Sequence, residues 1–348
     1  MNVSSDRPTI SIVMPCRNEA RYIGACLDSI LATTYPLERI ELLVVDGMSE
    51  DRTREIVTGY ASRRDTIRLL DNGRRITPAA LNVGIRAATG EIIMRMDAHV
   101  VYPPQYIPRL IDALQTSDAD NVGGVLVTLP ADGSTMAQAI AIGLAHPFGV
   151  GNAYFRIGVA APRWVDSVPF GCFRREVFDR VGLFDEDLIR NEDEEFNLRL
   201  LKYGGRILLL PDVVSYYFAR RSLPELARMY YQYGYYKPLV AKKASGVVTV
   251  RQLVPGLFLL TLIVTSLLTP VLPVSAIGVT VGAAYFGTLL ACVAAAVRRH
   301  GWRCALALAA VFPTVHFSYG LGSLHGVFDH LMQRRRVRRD PAVMPLSP

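Results

Sequence analysis

Along the first hundred residues the apolar positions alternate between two rhythms. TISIVMPC (9–16) is an almost uninterrupted apolar, β-branched run that ends at Pro15, and it reads as a buried strand. NEARYIGACLDSILAT (18–33) then spaces Ile23, Leu27, Ile30 and Leu31 along one helical face. IELLVVDG (40–47) predicts a second strand. MSEDRTREIVTGYASR (48–63) predicts a helix with Ser49 as its N-cap. TIRLLDN (66–72) is a third strand, TPAALNVGIRAAT (77–89) a helix capped by Thr77 with Pro78 in its first turn, and GEIIMRMDA (90–98) a fourth strand. This alternation predicts an α/β fold, a mostly parallel sheet sandwiched by helices.

Ligands of such sheets bind at the carboxyl ends of the strands. Four successive strands carry polar residues there: Arg17, Asn18 and Glu19; Asp46; Asn72 and Arg75; Asp97 and His99. Asp and Asn are also ordinary turn residues, so each position taken singly has a structural explanation, and convergence on one rim is the informative feature. No G-x-G-x-x-G follows the first strand and no G-x-x-x-x-G-K-[ST] occurs, which disfavours a dinucleotide site and excludes a P-loop. The rim is acidic as well as basic, which suits a metal-bridged diphosphate. Asp97 and His99 offer a carboxylate and an imidazole, donors compatible with Mn2+ or Mg2+.

Farther along, RNEDEEFNLRL (190–200) places Asn191 to Glu194 in the first turn of a helix, where the dipole favours carboxylates. Ser222 and Glu225 form an S-x-x-E capping box with Pro224 inside the first turn. The tyrosine-rich helix that follows, about 222–243, carries Arg228, Lys237, Lys242 and Lys243 and suits a membrane interface; packing of its aromatics on a soluble domain is the alternative.

After about residue 250 the character changes. Residues 253–273 and 274–297 are uncharged for about the 20 residues a bilayer core requires, and Pro270 and Pro273 separate them tightly. Residues 304–328 form a third apolar segment, spanning or re-entrant, that includes Pro313, His316 and His325. The expected organisation is therefore a catalytic domain over 1–245 and a membrane region over 250–348 with transmembrane helices and a basic tail. Hydrophobic residues make up 51% and charged residues 20% of the 348, in keeping with a soluble part joined to a membrane part. The net charge of +7, from 38 basic and 31 acidic residues, is concentrated in Arg298, Arg299, Arg303 and Arg334, Arg335, Arg336, Arg338 and Arg339. Basic clusters beside apolar segments face anionic lipid or fix topology, and no nucleic-acid recognition module accompanies them. The five cysteines form no C-x-x-C pair, which predicts free thiols in a reducing compartment. MNVSSDRPTI lacks the basic and apolar regions of a signal peptide, so the catalytic domain is expected to face the cytoplasm from a multi-pass inner-membrane protein.

Several segments together resemble the family 2 glycosyltransferases of the GT-A (Rossmann-like) fold. SIVMPCRNEARYIGACLDSI is similar to that family's opening strand and helix. LLVVDGMSEDRT resembles its V-D-D-G-S-x-D-x-T element, with Val45 in place of one aspartate. MRMDAH occupies the D-x-D position with His99 in the metal-ligand slot, and RNEDEEFNLRL matches the E-D motif. These elements run in order over about 9–201. A narrower resemblance, to the ExoA-type enzymes of succinoglycan and other bacterial exopolysaccharides, rests on GRRITPAALNVGI, RMDAH, ADNVGG, VPFGCFRREVF, NEDEEFNLRL and HFSYGLGSLHG.

The resemblance implies an inverting glycosyltransferase moving a sugar from a nucleotide-sugar, a UDP-sugar by preference, to a polyprenyl-diphosphate-linked saccharide at the membrane. Displacing a nucleoside diphosphate requires a cation at the diphosphate and a base at the acceptor hydroxyl. By the resemblance Asp193 is the base, His99 and Asp97 belong to the metal site, and Pro15, Arg17, Glu19, Asp46, Arg75 and Asp97 surround the donor nucleotide. Arg174, Glu192, Glu194 and Arg220 fall on the acceptor side. Two other readings stand beside this one. A processive polysaccharide synthase is disfavoured because no Q-x-x-R-W element is present and transmembrane segments are few. A catalytically inactive nucleotide-sugar-binding module is disfavoured by retention of Asp46, Asp97, His99 and Asp193 together.

Overall fold

The computed structural model describes residues 7–244, 250–268 and 272–332; Pro270 and the arginine run from Arg334 to Arg339 lie outside them. Contacts divide the chain into two compact units. Among the described residues the first takes in the chain to Val127 and Gly158–Tyr217, the second Thr128–Ile157 and the chain from Phe218 to Met332. The division by contacts falls after Tyr217, with an insertion after Val127, and so groups the tyrosine-rich helix with the C-terminal helices. The reason is that the tyrosine-rich helix packs along the C-terminal helices.

The first unit is built on a sheet of nine strands: β1 (Ile10–Cys16), β2 (Ile40–Asp46), β3 (Ile67–Asp71), β4 (Ile92–Arg95), β5 (Val100–Val101), β6 (Asn121–Leu129), β7 (Arg163–Trp164), β8 (Cys172–Arg174) and β9 (Ile207–Phe218). Their order is β3-β2-β1-β4-β8-β6-β9-β5, with β7 on β9. The four strands legible as apolar runs, β1 to β4, are the parallel part. β8 joins β4 antiparallel and makes the sheet mixed. β1 and β2 read as continuous apolar runs because helices cover both faces of a parallel sheet. Register levels the strand ends, since Cys16 lies opposite Asp46 and Asp46 opposite Asp71. β4 is set so that Arg95 lies opposite Val13.

The helices in chain order are α1 (Ile23–Leu31), α2 (Thr53–Ala61), α3 (Thr77–Ala87), α4 (Tyr106–Thr116), α5 (Thr135–Leu144), α6 (Pro147–Val150), α7 (Tyr154–Ile157), α8 (Glu176–Val181), α9 (Glu192–Lys202), α10 (Leu223–Ala244), α11 (Val250–Leu267) and α12 (Leu272–Val327). Two expected caps shift. α2 begins at Thr53 behind Arg52, and Ser49 instead bonds Asp46. α3 begins at Thr77 itself, with Ile76 before it and Pro78 inside the first turn. The first shift follows from a strand-end carboxylate competing for a short polar side chain.

In the second unit Ser222 and Glu225 close the start of α10, hydroxyl to carboxylate at 2.8 Å and Glu225 N–H to hydroxyl at 3.5 Å. α10 lies against α12 with no room for side chains at three glycines. A Cβ at Gly322 would stand 2.1 Å from the Tyr231 carbonyl oxygen, one at Gly326 2.1 Å from that of Tyr235, and one at Gly234 2.1 Å from that of Tyr319. α12 breaks at Gly301, whose φ of 80° is left-handed. Tyr285 before the break packs on Phe317 after it, ring centroids 6.1 Å apart, and Phe258 of α11 touches both, so the two halves fold back on each other. Residues Val274–Met332 are long and apolar enough to cross a membrane; the described apolar part of α11, Gln252–Leu267, is shorter.

Candidate active site

The ends of β1 and β2 are sewn together before any ligand is considered. The Asn18 N–H donates to Ser49 Oγ at 2.8 Å, the Glu50 N–H to Asn18 Oδ1 at 2.9 Å, and the Glu19 N–H to Thr53 Oγ1 at 2.8 Å. Asp51 receives the N–H groups of Ala20 and Thr53, both at 3.0 Å. Burial opposes its ionisation, but these bonds and the Thr53 hydroxyl hold its carboxyl below the usual range. Three of the five non-glycine residues with left-handed backbone among the described residues lie at strand ends: Asn18 (φ 55°), Met48 (58°) and Arg75 (58°); a fourth, Asn191 (62°), opens α9. Asparagine tolerates this region, whereas at Met48 and Arg75 it costs about 1 kcal/mol or more. Strain of this kind persists where surrounding contacts over-determine the loop.

Asp46 is wholly buried. Its Oδ2 accepts from the Ser49 N–H at 2.9 Å and from Arg54 Nη1 at 2.8 Å, and its Oδ1 from the Ser49 hydroxyl. Arg54 Nη1 also reaches Asp71 at 2.8 Å. Asp46 is thus engaged in fixing the turn after β2. Arg17 and Arg75 each bring a guanidinium nitrogen to 3.8 Å from Glu50 Oε1. Pro15 is half-buried in β1, opposite Val45.

At the end of β4 the carboxylates gather around one cation. Arg95, 9% exposed, sends Nε to Asp97 Oδ1 at 3.0 Å, Nη2 to Asp97 Oδ2 at 3.5 Å and Nη1 to Glu192 Oε1 at 3.1 Å. Burial alone would lower the Arg95 guanidinium, but the charges of Asp97, Glu192 and Asp193 raise it far above its ordinary value. Glu192 is pushed up to about 7 by burial, against the opposing field of Arg95 and with that of Asp193 adding to it. Asp193, half-buried beside it, accepts the N–H of Glu194 at 2.8 Å. The Asp97 N–H is held by the Tyr102 hydroxyl at 2.9 Å, whose own proton burial makes hard to lose. His99 places Nδ1 2.9 Å from Glu19 Oε1, and its ring meets Tyr217 edge-on at 5.5 Å.

The structure therefore brings Asp97, Glu192 and Asp193 together around Arg95, and His99 together with Glu19. It does not bring Arg174 there: that residue pairs with Ile92 at the start of β4, the opposite end of the strand, and donates to the Leu114 carbonyl. Arg220 belongs to the second unit. Glu194 follows Asp193 in the first turn of α9, half-buried. The sequence reading passed over Arg95, Arg54 and Glu50. Arg95 carried a signal, because an arginine inside an apolar strand must find carboxylates to remain charged when buried.

Among the described residues no group of three or more His, Cys, Asp or Glu side chains is arranged to hold a metal ion by itself. His99 and Asp97, two positions apart in the chain, offer an imidazole and a carboxylate, donor types that suit Mn2+ or Mg2+ when phosphate oxygens complete the shell.

Comparison with known proteins agrees with this architecture. Residues 11–182 match the family model Glycosyl transferase family 2. The chain is 33% identical over 258 residues to the succinoglycan biosynthesis protein ExoA of Rhizobium meliloti, covering 73% of this chain and 77% of that one. It is 29% identical over 271 residues to the dolichyl N-acetyl-alpha-D-glucosaminyl phosphate 3-beta-D-2,3-diacetamido-2,3-dideoxy-beta-D-glucuronosyltransferase of Methanococcus voltae, covering 74% and 82%. The GT-A fold is shared with the mannosyltransferase PcManGT of Pyrobaculum calidifontis, solved in complex with GDP-Man and Mn2+; the TM-score is 0.59 at 22% identity over 92% of this chain and 88% of that one. With its strand order, its acid-lined rim and a relative one-third identical over most of both lengths, the chain belongs to glycosyl transferase family 2.

Proposed function

We propose that this glycosyltransferase moves one sugar from a nucleotide-sugar donor to a saccharide carried on a polyprenyl diphosphate, with inversion, at a membrane. The observation that carries the reading is the gathering of Asp97, Glu192 and Asp193 around Arg95 at the end of β4, beside the His99–Glu19 pair. The acceptor hydroxyl oxygen forms a bond to the anomeric carbon as the bond to the nucleoside diphosphate breaks. The hydroxyl proton passes to Asp193, and the leaving group departs as the diphosphate anion. A base on the face opposite the leaving group gives inversion in a single displacement.

His99 is the residue that would hold a divalent ion, with Glu19 orienting its ring through Nδ1, and Asp97, two positions before it in the chain, is the second candidate. Such an ion supplies charge neutralisation at the departing diphosphate, and Mn2+ in the Pyrobaculum structure supports this reading. Arg17 and Arg75, which face one carboxylate here, are suited to receive the donor's phosphates in its place. Support for a lipid-linked acceptor comes from the dolichyl compound in the name of the Methanococcus relative and from the apolar C-terminal helices of this chain. Those helices, α11 and the two halves of α12, are read as inner-membrane segments, the third spanning or re-entrant, with the catalytic unit on the cytoplasmic side.

The test is a donor screen on membranes holding the full chain, with UDP- and GDP-sugars, with Mn2+ or Mg2+ against a chelator, and mass analysis of the lipid fraction. The expected product is lipid-linked and longer by one sugar; a long polymer would instead identify a processive synthase. Asp193→Asn is expected to keep donor binding and lose about a hundredfold or more of turnover, the contribution of a general base. Nearly full turnover by that variant would remove Asp193 from the role.

A further inference from the structure

Glu192 and Asp193 are neighbours on the first turn of α9, yet they meet different surroundings. Glu192 is buried, with Oε1 on Arg95 Nη1 at 3.1 Å. Asp193 is half-buried, and its Oδ1 takes the N–H of Glu194. The guanidinium that holds Glu192 also holds Asp97 through its other two nitrogens. Arg95 is fixed by the sheet: it lies opposite Val13 in the register of β1 and β4, and its own N–H donates to the Gly171 carbonyl at 3.0 Å.

We infer that Arg95 is a positioning residue that draws Glu192 into the sheet and thereby presents its neighbour Asp193 to the acceptor at a set distance from Asp97. This rests on the reading of Asp193 as base. Successive side chains on a helix point about 100° apart, so pinning one sets the direction of the next. Asn191 starts the helix in a left-handed conformation, and Glu192 and Asp193 follow it in the first turn. A second anchor lies farther along, where Asn121 donates to Asn197 at 2.9 Å and Asn197 to Ser167 at 3.2 Å. With that anchor α9 stays docked when Arg95 is replaced, while its first turn loses its direction. The fork of a guanidinium is needed because two separate carboxylates are held at once; an ammonium offers a single charged point.

The experiment compares kcat and KM of the full chain in membranes for the wild type, Asp193→Asn, Arg95→Lys, Arg95→Met, Glu192→Gln and Arg95→Met combined with Glu192→Gln. Arg95→Met is expected to lower kcat by about ten- to a hundredfold, the effect of a small misplacement, and to leave the donor KM within about threefold. Arg95→Lys recovers part of the loss. The double variant is no slower than Arg95→Met, because Glu192 has by then lost the group through which it acts. If Arg95→Met fails to fold, the lysine variant and the double variant, which leaves no carboxylate of Glu192 unpaired, decide the matter. Strictly additive losses in the double variant, or parallel collapse of kcat, donor binding and thermal stability in Arg95→Lys, would make Arg95 a mere structural tie. Near-full turnover by Arg95→Met with Asp193→Asn inactive refutes this inference alone; near-full turnover by Asp193→Asn refutes the base and this inference with it.

Discussion

Glu192 holds its proton up to about 7 because burial outweighs the field of Arg95, whereas the same side chain in the unfolded chain titrates near 4.5. Between those values the folded state binds more protons than the unfolded one, so stability falls as pH rises through this window. The stabilising share is complete below about 4.5 and lost once the pH has passed about 7. Glu192→Gln removes the titration and retains a side-chain oxygen for Arg95. Thermal midpoints of the variant in detergent are expected to decline less than those of the wild type across that window. An equal decline in both would assign the pH dependence to other groups. At this scale the sequence was informative about which residues reach the rim and less so about what they do there. Asp46 and Ser49 stood out as a strand-end acid and a helix cap, yet they bond each other, with Arg54 closing the pair. Short polar side chains have several local partners of similar worth, and tertiary contacts choose among them.

The parallel strands and their helices were legible because each is a run of one hydrophobic period, and buried strands leave an almost continuous apolar record. The short strands β5, β7 and β8 were not, since two or three residues carry no period. The contact between α10 and α12 shows what such a reading passes over. HFSYGLGSLHG drew notice as a resemblance, and its physical content is backbone approach. Alanine in a helix interior is favoured over glycine by about 1 kcal/mol. At Gly326 a Cβ would stand 2.1 Å from the Tyr235 carbonyl oxygen, whereas at Gly282, also in α12, nothing lies within 4 Å. Gly282→Ala is therefore expected to raise the thermal midpoint slightly or leave it unchanged. Gly326→Ala is expected to lower stability by about 1–3 kcal/mol through overpacking, despite the gain in propensity. Protease resistance of the two variants in detergent separates these outcomes, and equal behaviour would mean that the helices part without cost.

For the whole molecule the question is what covers its apolar exterior. Leu253, Leu257, Ile263, Ile277, Val279, Phe286, Leu290, Leu306 and Leu321 are exposed on α11 and α12, far more contiguous apolar side chain than a water-soluble surface tolerates. The halves of α12, 272–300 and 302–327, each exceed the roughly 20 residues that cross a hydrocarbon core, and the fold-back at Gly301 sets them side by side as a bundle in lipid requires. Arg298, Arg299 and Arg303 sit at the fold-back, where the positive-inside rule would keep them cytoplasmic. A different attachment is conceivable on charge alone, because a net +7 would hold a peripheral protein to anionic lipid. The two differ in their response to salt. Electrostatic attachment is screened within a short Debye length at high ionic strength, whereas burial of apolar helices is strengthened if anything by salting-out. The full chain is accordingly expected to stay with the membrane pellet through high-salt and alkaline carbonate washes and to leave it only in detergent. Release by salt would mean that α11 and α12 pack against protein, and that the basic residues, and not the apolar helices, bring the acid-lined rim to its acceptor.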